Sequence, residues 1–297
     1  MKNDNLTIVI ITLNEAHNLN RFFDTLQGWV SNVVVLDSYS SDNTVDICIS
    51  RGAKVFQRRF DNFGSQWNVA LTETNIKTPW VMKMDPDEVM TNEVKININK
   101  AIKDAKFDAF NIVSRLYFMG KPLPKTSKVL RIWRNGECKF SDSLVNEYPI
   151  VEGLIGDIEG LYEHHDSPNL NHWLNKQNKY TASEAEVLLN QLSLAIKPNL
   201  FGNADQRRMF YKKHFYYIPF RYSILFLYHY FVLGAYKVGK VGLVWSRLRT
   251  LVYYLIELKA FELKQQNKTE FDLLADKVGS PDSRCEQIKY LNDKIEL

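Results

Sequence analysis

The chain has 297 residues, 45% of them hydrophobic and 24% charged, and carries a net charge of +4. That length buries a substantial core and suits one domain with a large appendage, or two domains. Cys48, Cys138 and Cys285 stand far apart with no CxxC pair, which excludes a disulfide framework and a zinc ribbon and suits a reducing compartment.

Residues 6–12, LTIVIIT, form a β-branched run expected to be a first strand. The apolar stretch is too short to span a bilayer and lacks a signal-peptide cleavage pattern, so an intracellular protein is expected. After a polar Asn14-Glu15 loop, Asn18 is expected to cap a helix whose Leu19, Phe22, Phe23 and Leu26 repeat at 3.6-residue spacing. VVVLD (33–37) reads as a second strand, followed by SYSSDNT and a helix ending at Arg51 before Gly52. Cys48 lies in that helix and is expected to pack it rather than serve as a catalytic thiol. AKVFQR (53–58) reads as a third strand, FGSQWNVALTET (63–74) as a helix, and Pro79-Trp80 leads into a fourth strand. Strands alternating with helices at this spacing imply a parallel sheet with helices on its faces.

In such sheets ligands bind beyond the carboxyl ends of the strands. Three polar stretches fall on that edge: Thr12 to Glu15, Asp37 to Asp42, and the acidic end of WVMKMDPDE (80–88). Asp85 and Asp87, two apart at a strand end, can aim both carboxylates one way, and Pro86 stiffens the turn between them. A solvated turn is the plain alternative for an isolated Asp-x-Asp. Hard ions such as Mg²⁺ or Mn²⁺ favour carboxylate oxygen, and a diphosphate would complete their shell.

Further on, Asn92 to Ala105 is expected to be a helix, DAFNIVSRLYF (108–118) and KVLRIWR (128–134) strands, and Met119 to Ser127 a mobile loop. Asn135-Gly136 signals a hairpin turn between RIWR and ECKF. Asn169 to Leu194 reads as helical, followed by a polar break at Pro198 to Asp205. Between Lys197 and Lys268, 13 Lys and Arg face three acids, a net +10, which leaves −6 on the rest of the chain. Tyr, Phe and Trp crowd residues 210–261, interleaved with that charge. Helices lying in a membrane interface fit this composition, since aromatic belts prefer that depth and basic residues meet anionic head groups. An aromatic-rich helical subdomain and a spanning helix are the alternatives. Nucleic-acid binding is disfavoured because the aromatics are too densely apolar.

TIVIITLNEAHNL, VVVLDSYSSDNT, FGSQWNVAL and WVMKMDPDE, in this order, resemble family 2 glycosyltransferases of the GT-A fold. The similarity is to the bacterial branch that builds lipopolysaccharide core and surface polysaccharide. It continues through KVLRIWRNGECKFSDSLVNEYPIVEGLIGDIEGLYEHHD and HWLNKQNKYTASEAE. The resemblance implies an α/β class, a GT-A Rossmann-like and mostly parallel sheet flanked by helices, with a C-terminal helical, basic, aromatic-rich extension. Residues 1–195 would form the nucleotide-sugar and catalytic domain, and 196–297 the membrane-associating region.

By this resemblance Thr12, Asn14 and Glu15 line the nucleotide pocket, and Asp37 accepts from base or ribose, with Ser40, Ser41 and Asp42 closing that loop. A helix cap is the alternative for Asp42. Asp85 faces ribose and metal, and Asp87 is the main ligand of Mn²⁺ or Mg²⁺. Glu147 in LVNEY is the general base, with Asp142 as the fallback. His165, slightly ahead of His164, completes the metal shell. Arg131 and Arg134 are placed to hold phosphate or acceptor, a solvated hairpin edge being the alternative. Three positions depart from the family: Asn146 stands where His is common, Pro86 where a small residue is, and Trp67 where Arg is. Lys83 or Arg59 would then supply the diphosphate contact. The expected activity is inverting transfer of a sugar, a hexose from a UDP-sugar, to a lipid-linked or lipopolysaccharide-type acceptor. The enzyme would be cytoplasmic and peripheral on the inner face of the membrane. The rivals are a membrane-associated nucleotide- or glycan-binding subunit without catalysis, and a nucleotidyltransferase.

Overall fold

The computed structural model describes residues 2–104, 106–141, 148–189, 198–202 and 204–277. The first half alternates as expected: β1 (Leu6–Thr12), α1 (Ala16–Leu26), β2 (Asn32–Asp37), α2 (Thr44–Ser50), β3 (Lys54–Gln57), α3 (Phe63–Thr72) and β4 (Trp80–Lys83). Then come β5 (Glu88–Val89), α4 (Asn92–Asp104), β6 (Ala109–Phe118), β7 (Lys121–Arg134), β8 (Cys138–Phe140), β9 (Pro149–Val151) and β10 (Ile155–His165). Helices α5 (Leu170–Leu189), α6 (Ala204–His214), α7 (Arg221–Leu227) and α8 (Lys240–Lys277) follow, with a π-helical turn at Tyr228–Val232 and 3-10 turns at Phe215–Tyr217 and Ala235–Val238.

Eight strands form one sheet in the order β3-β2-β1-β4-β7-β6-β10-β5. Strands β1 to β4 pair in parallel, and so do β6 and β10. Strand β7 is inserted between β4 and β6 and runs antiparallel to both. Two reversals restore the direction, so β6 and β10 run parallel to β4. The carboxyl end of β10 therefore emerges on the same edge as the ends of β1, β2 and β4.

Period-two alternation sorts the strand residues onto two apolar layers. Leu6, Ile8, Ile10, Val33, Val35, Trp80, Met82 and Met84 pack one face, against Leu19, Phe22, Phe23 and Leu26 of α1 and Val94, Ile98 and Ile102 of α4. Val9, Val34, Leu36 and Val81 face the other layer, with Trp67 and Ala70 of α3. Cys48 is fully buried in the first layer, and burial pushes its thiol up to about 12, so it packs a helix and offers no thiolate.

The structure corrects three local expectations and removes one alternative. Asn18 does not cap α1; the helix starts two residues earlier, and the buried Asn18 instead donates to the Glu15 carboxylate at 2.8 Å. Residues 121–127 are not a loop. The reversal takes only Met119 and Gly120, both at positive φ (48° and 71°), the signature of a tight hairpin turn. Pro122 and Pro124 are tolerated because β7 is paired on one side only at that end. The Asn135-Gly136 turn does form, with Glu137 N–H donating to the Arg134 carbonyl at 3.1 Å, but it leads β8 away from β7 to pair with β9 instead. The 215–234 stretch forms no spanning helix, being broken into the short pieces named above. Among the described residues no helix is long and apolar enough to cross a membrane.

The chain divides into two compact units: residues 1–176 with 223–249, and residues 177–222 with 250–297. The expected boundary at residues 195 and 196 lies outside the described residues. In the second unit, Arg221 forks onto Glu257 at 2.5 and 2.7 Å, and the Tyr222 hydroxyl donates to the same carboxylate. There too the Lys259 ammonium donates to the Asn178 carbonyl at 2.6 Å and to the Thr181 hydroxyl at 2.9 Å.

Candidate functional site

Two loops at the carboxyl ends of β1 and β2 are laced together. Asn14, at φ 58°, accepts from Ser41 N–H at 2.8 Å, while its own N–H donates to Ser40 Oγ at 2.8 Å. Glu15 N–H donates to Thr44 Oγ1 at 2.8 Å, and Ala16 N–H to Asp42 Oδ2 at 3.2 Å. Asp42 also accepts from Thr44 N–H at 3.0 Å, so it joins the starts of α1 and α2, a capping role. Those hydrogen bonds outweigh its burial and hold its carboxyl below the ordinary range.

Asp37 is fully buried and its oxygens are saturated. Thr12 Oγ1 donates at 2.9 Å, Ser40 N–H at 2.8 Å, Ser40 Oγ at 2.5 Å and Gln57 Nε2 at 3.1 Å. The expected role of accepting from base or ribose is therefore not open to it as arranged; a base N–H reaches this carboxylate only by displacing a present donor. Here Asp37 shapes the loop that carries Tyr39, itself 56% exposed at φ 61°.

The acidic turn after β4 splits into two sets. Arg131, 8% exposed, donates to Asp85 Oδ2 at 2.9 Å and to Glu88 Oε1 at 2.6 Å. Glu88 has no exposed side-chain surface and also accepts from the Tyr162 hydroxyl at 3.1 Å and the Asp85 N–H at 2.9 Å. Burial of Asp85 is outweighed by the Arg131 charge, with help from Lys83, and its carboxyl is held far below the ordinary range. Asp85 and Arg131 thus pair at the turn, with the Asp85 side chain still 35% exposed and Arg131 only 10%.

Asp87 belongs to the second set. Its carbonyl accepts from His165 N–H at 2.8 Å, the neighbouring Glu88 pairs with His164, and so β10 is fixed across the turn. His164 Nε2 stands 3.3 Å from Asp87 Oδ2, and ligand atoms of Asp87, His164 and Asp166 all lie within 4.8 Å of one another. The slight preference for His165 is corrected here: alternation along β10 sends its ring to the other face, where Nε2 meets Glu163 at 2.7 Å and the ring stacks on Tyr117. Lys176 of α5 reaches the same acids, with Nζ 3.0 Å from Asp166 Oδ1 and 3.7 Å from Asp87 Oδ2. Glu15 faces this cluster too. Burial pushes its carboxyl up to about 7, against the Asn18 hydrogen bond, and the charges of Asp87 and Asp85 add to the rise.

A divalent ion fits Asp87, His164 and Asp166. They offer two carboxylates and an imidazole, a donor set suited to Mn²⁺. Asp87 Oδ1 is buried without any hydrogen-bond partner, an orphaned acceptor of the kind a cation satisfies. Burial lowers the His164 pKa, but the hydrogen bond and charge of Asp87 outweigh it and raise the ring to about 9. Ligation by His164 would therefore release a proton.

The remaining expected residues lie elsewhere. Lys83 is 8% exposed, with its ammonium 4.4 Å above the Trp67 ring. It makes a cation–π contact on the α3 face rather than offering an open diphosphate contact. Arg134 stacks on Trp80 at 4.8 Å and pairs with Asp108 at 3.2 Å. Because β7 runs antiparallel to β4, Arg134 sits beside the first residue of β4, at the opposite end from Asp85. Glu147 and its fallback Asp142 lie outside the described residues, as does Asn146.

The profile of the family described as Glycosyl transferase family 2 matches residues 7–151, which run from β1 to β9. Residues 7–151, just under half of the chain, carry the glycosyltransferase family 2 segment. The rest of the chain, including β10 with His164, lies beyond the matched segment. An uncharacterised glycosyltransferase of Rickettsia prowazekii (strain Madrid E) is 25% identical over 202 residues, covering 63% of this chain and 68% of that protein. The lipopolysaccharide core biosynthesis glycosyltransferase LpsC of Rhizobium meliloti (strain 1021) is 22% identical over 269 residues, 86% of this chain and 92% of that one. Among solved structures, S. aureus TarS 1–349 in complex with UDP-GlcNAc aligns at a TM-score of 0.44 and 15% identity, over 86% of this chain and 88% of that one. Glucosyl-3-phosphoglycerate synthase from Mycobacterium tuberculosis, in complex with Mn²⁺, UDP and glucosyl-3-phosphoglycerate, aligns at 0.32 and 21% identity. That alignment covers 38% of this chain and 44% of the synthase, so the chain spans less than half the synthase's length.

Two members of the acidic cluster were not singled out in the sequence. Asp166 closes the LYEHHD motif itself, and a third donor directly after two histidines at a strand end was its available signal. Lys176, in HWLNKQNKY, sits in a helix with no local mark of function.

Proposed function

We propose that this family 2 glycosyltransferase moves a sugar, a hexose, from a UDP-sugar to a glycan acceptor carried on a lipid, with inversion and with Mn²⁺ or Mg²⁺ bound. The observation that carries the reading is the convergence of Asp87, His164 and Asp166, with Asp87 Oδ1 orphaned, at the strand edge beside the Thr12–Glu15 and Asp37–Thr44 loops. A bound divalent ion would supply charge neutralisation for the departing diphosphate. The chain's own groups do the rest. Asn14 and the exposed Tyr39 rim the nucleotide loops, while Asp37, Ser40 and Asp42 hold their shape. Lys176, already between two carboxylates, adds a positive charge beside the diphosphate. Glu147 takes the proton of the acceptor hydroxyl as its oxygen bonds to the anomeric carbon, and the bond from that carbon to the diphosphate oxygen breaks, releasing UDP. The acceptor class follows the similarity to LpsC, a protein of lipopolysaccharide core biosynthesis, over 86% of this chain.

Thermal shift against nucleoside diphosphates and their sugars, with and without Mn²⁺, tests the donor half. Stabilisation by one nucleotide only when metal is present is expected. A protein indifferent to every nucleotide with metal present would sink the reading, and binding without turnover would favour the non-catalytic subunit.

We further propose that the enzyme works at an anionic membrane surface. Ile224, Leu227, Tyr228, Phe231 and Val232 recur at helical spacing and are 45% to 73% exposed, with exposed Lys237 and Lys240 just beyond. An apolar stripe beside basic residues is the pattern of an interfacial helix. The double substitution Phe231→Ser, Val232→Ser is expected to weaken binding to phosphatidylglycerol-containing vesicles at least tenfold. Undiminished cosedimentation of that variant would discard the membrane assignment.

A further inference from the structure

The turn joining β6 to β7 carries a residue that the turn itself does not favour. Phe118 pairs with Lys121, so the loop is Met119 and Gly120 alone, at φ 48° and 71°. Asn-Gly is the preferred pair in a two-residue hairpin with positive φ at both positions. Asparagine tolerates that backbone, and methionine has no such aptitude. Nor does the core hold the side chain, since Met119 is 48% exposed. Lys121 and Pro122 beside it are exposed as well. An apolar tip placed against the preference of its own turn points to a use outside the fold.

The tip adjoins the exposed stripe of the 223–249 segment. The 3-10 turn Ala235–Val238 rests on β7, and a side chain built at Gly234 would touch Pro124 Cγ at 4.0 Å. Pro124 is four residues from Gly120, which puts the tip within about 13 Å of that contact. Tyr236 on the same turn is 47% exposed, and its ring centre lies 6.3 Å from that of Phe231 in the stripe. Exposed apolar groups therefore lead from Met119 through Pro122, Pro124 and Tyr236 to Phe231 and Val232. Charge indicates the occupant. Residues 119–128 hold three Lys, residues 223–249 hold four Lys and Arg, and neither segment holds an acid. Lys121, Lys237 and Lys240 are exposed beside the apolar groups. A bilayer with anionic head groups matches apolar side chains ringed by lysine. The tip also leaves the sheet at the carboxyl end of β6, where Tyr117 pairs with His165 of β10, so it shares an edge with the acidic cluster.

We infer that the β6–β7 tip, through Met119 and Lys121, is a second lipid-docking element continuous with the Ile224–Val232 stripe. It rests on the membrane reading given above and adds to it a separate part of the chain. Docking at the tip sets the edge that carries Asp87, His164 and Asp166 against the head groups, where a lipid-carried acceptor is met.

Cosedimentation of the full chain with phosphatidylglycerol-containing vesicles tests it, with Met119→Asn as the deciding variant. Asparagine suits this turn better than methionine, so the melting temperature is expected to hold or rise. Vesicle binding is expected to fall about tenfold, as loss of a partly buried Met side chain implies. Lys121→Ala is expected to weaken binding about fivefold on these vesicles and to have no effect on neutral phosphatidylcholine. UDP affinity with Mn²⁺, measured without lipid, should not change in either variant. Undiminished vesicle binding by Met119→Asn, where the Phe231→Ser, Val232→Ser protein loses it, overturns the tip and leaves the membrane reading standing. Absence of binding by wild type overturns both. A marked fall in melting temperature would return Met119 to the fold, and a fall in UDP affinity would give the tip to the donor site. A lipid-free dimer lost in Met119→Asn would make the patch a contact between copies. Each of these three results overturns the docking role.

Discussion

Asp87→Asn is expected to weaken Mn²⁺ binding by at least about 100-fold, the upper end of what loss of even an outer-shell partner costs, and to remove metal-dependent stabilisation by a nucleotide. The substitution keeps the size of the side chain and an oxygen that can still accept, but deletes the charge of the only cluster member with a buried, unpartnered acceptor oxygen among the described residues. The fold should hardly notice. Asp87 takes part in no apolar layer, and its structural bond to His165 runs through its backbone carbonyl, which the substitution preserves. The expected signature is therefore a melting temperature near wild type with metal affinity gone, read by calorimetry with Mn²⁺ alone. Retained affinity would show that the ion, if one binds, sits elsewhere. A large fall in melting temperature would instead make Asp87 a structural partner of His164 and Lys176.

The opposite signature is expected of Arg131→Leu. This removes the cation from a carboxylate with no exposed surface, since Glu88 would keep only the Tyr162 hydroxyl and the Asp85 N–H. Breaking a buried pair from one side costs about 3–5 kcal/mol, which for a domain of this size lowers the melting temperature by on the order of 10 °C. Adding Glu88→Gln should recover much of that loss, because a neutral amide does not need the guanidinium. If Arg131 served the donor phosphate instead, Arg131→Leu would weaken UDP binding and leave the melting temperature alone. An unfolding free energy from denaturant titration within about 0.5 kcal/mol of wild type, the range of neutral surface changes, would refute the structural role.

The parts of the fold that could be read from the sequence were those with local causes. LTIVIIT and VVVLD are β-branched runs buried on both faces, and the Leu19–Leu26 spacing is helical; each signal lies within a few residues of what it specifies. The three polar stretches at the strand ends were placed on one edge by the same argument, and they do lie there. What stayed hidden depends on pairing. That β7 would enter the sheet backwards, and carry Arg131 under Asp85 while sending Arg134 to the far end, is fixed by β4 and β6 rather than by KVLRIWR. The choice between His164 and His165 hinged on the register of β10, which shifts between Asp157 and Leu161. A one-residue slip there exchanges the two rings, and no composition could show it.

The acidic turn and its histidine come from strands far apart in the chain; Tyr162 and Glu88 are bonded across 74 residues. Closing so long an interval is entropically slow. The cluster is therefore expected to form only when β10 docks, after the local strand–helix units. A cation held there would then be a brake on unfolding rather than a guide for folding: it would lengthen the lifetime of the finished protein and leave the rate of reaching it almost untouched.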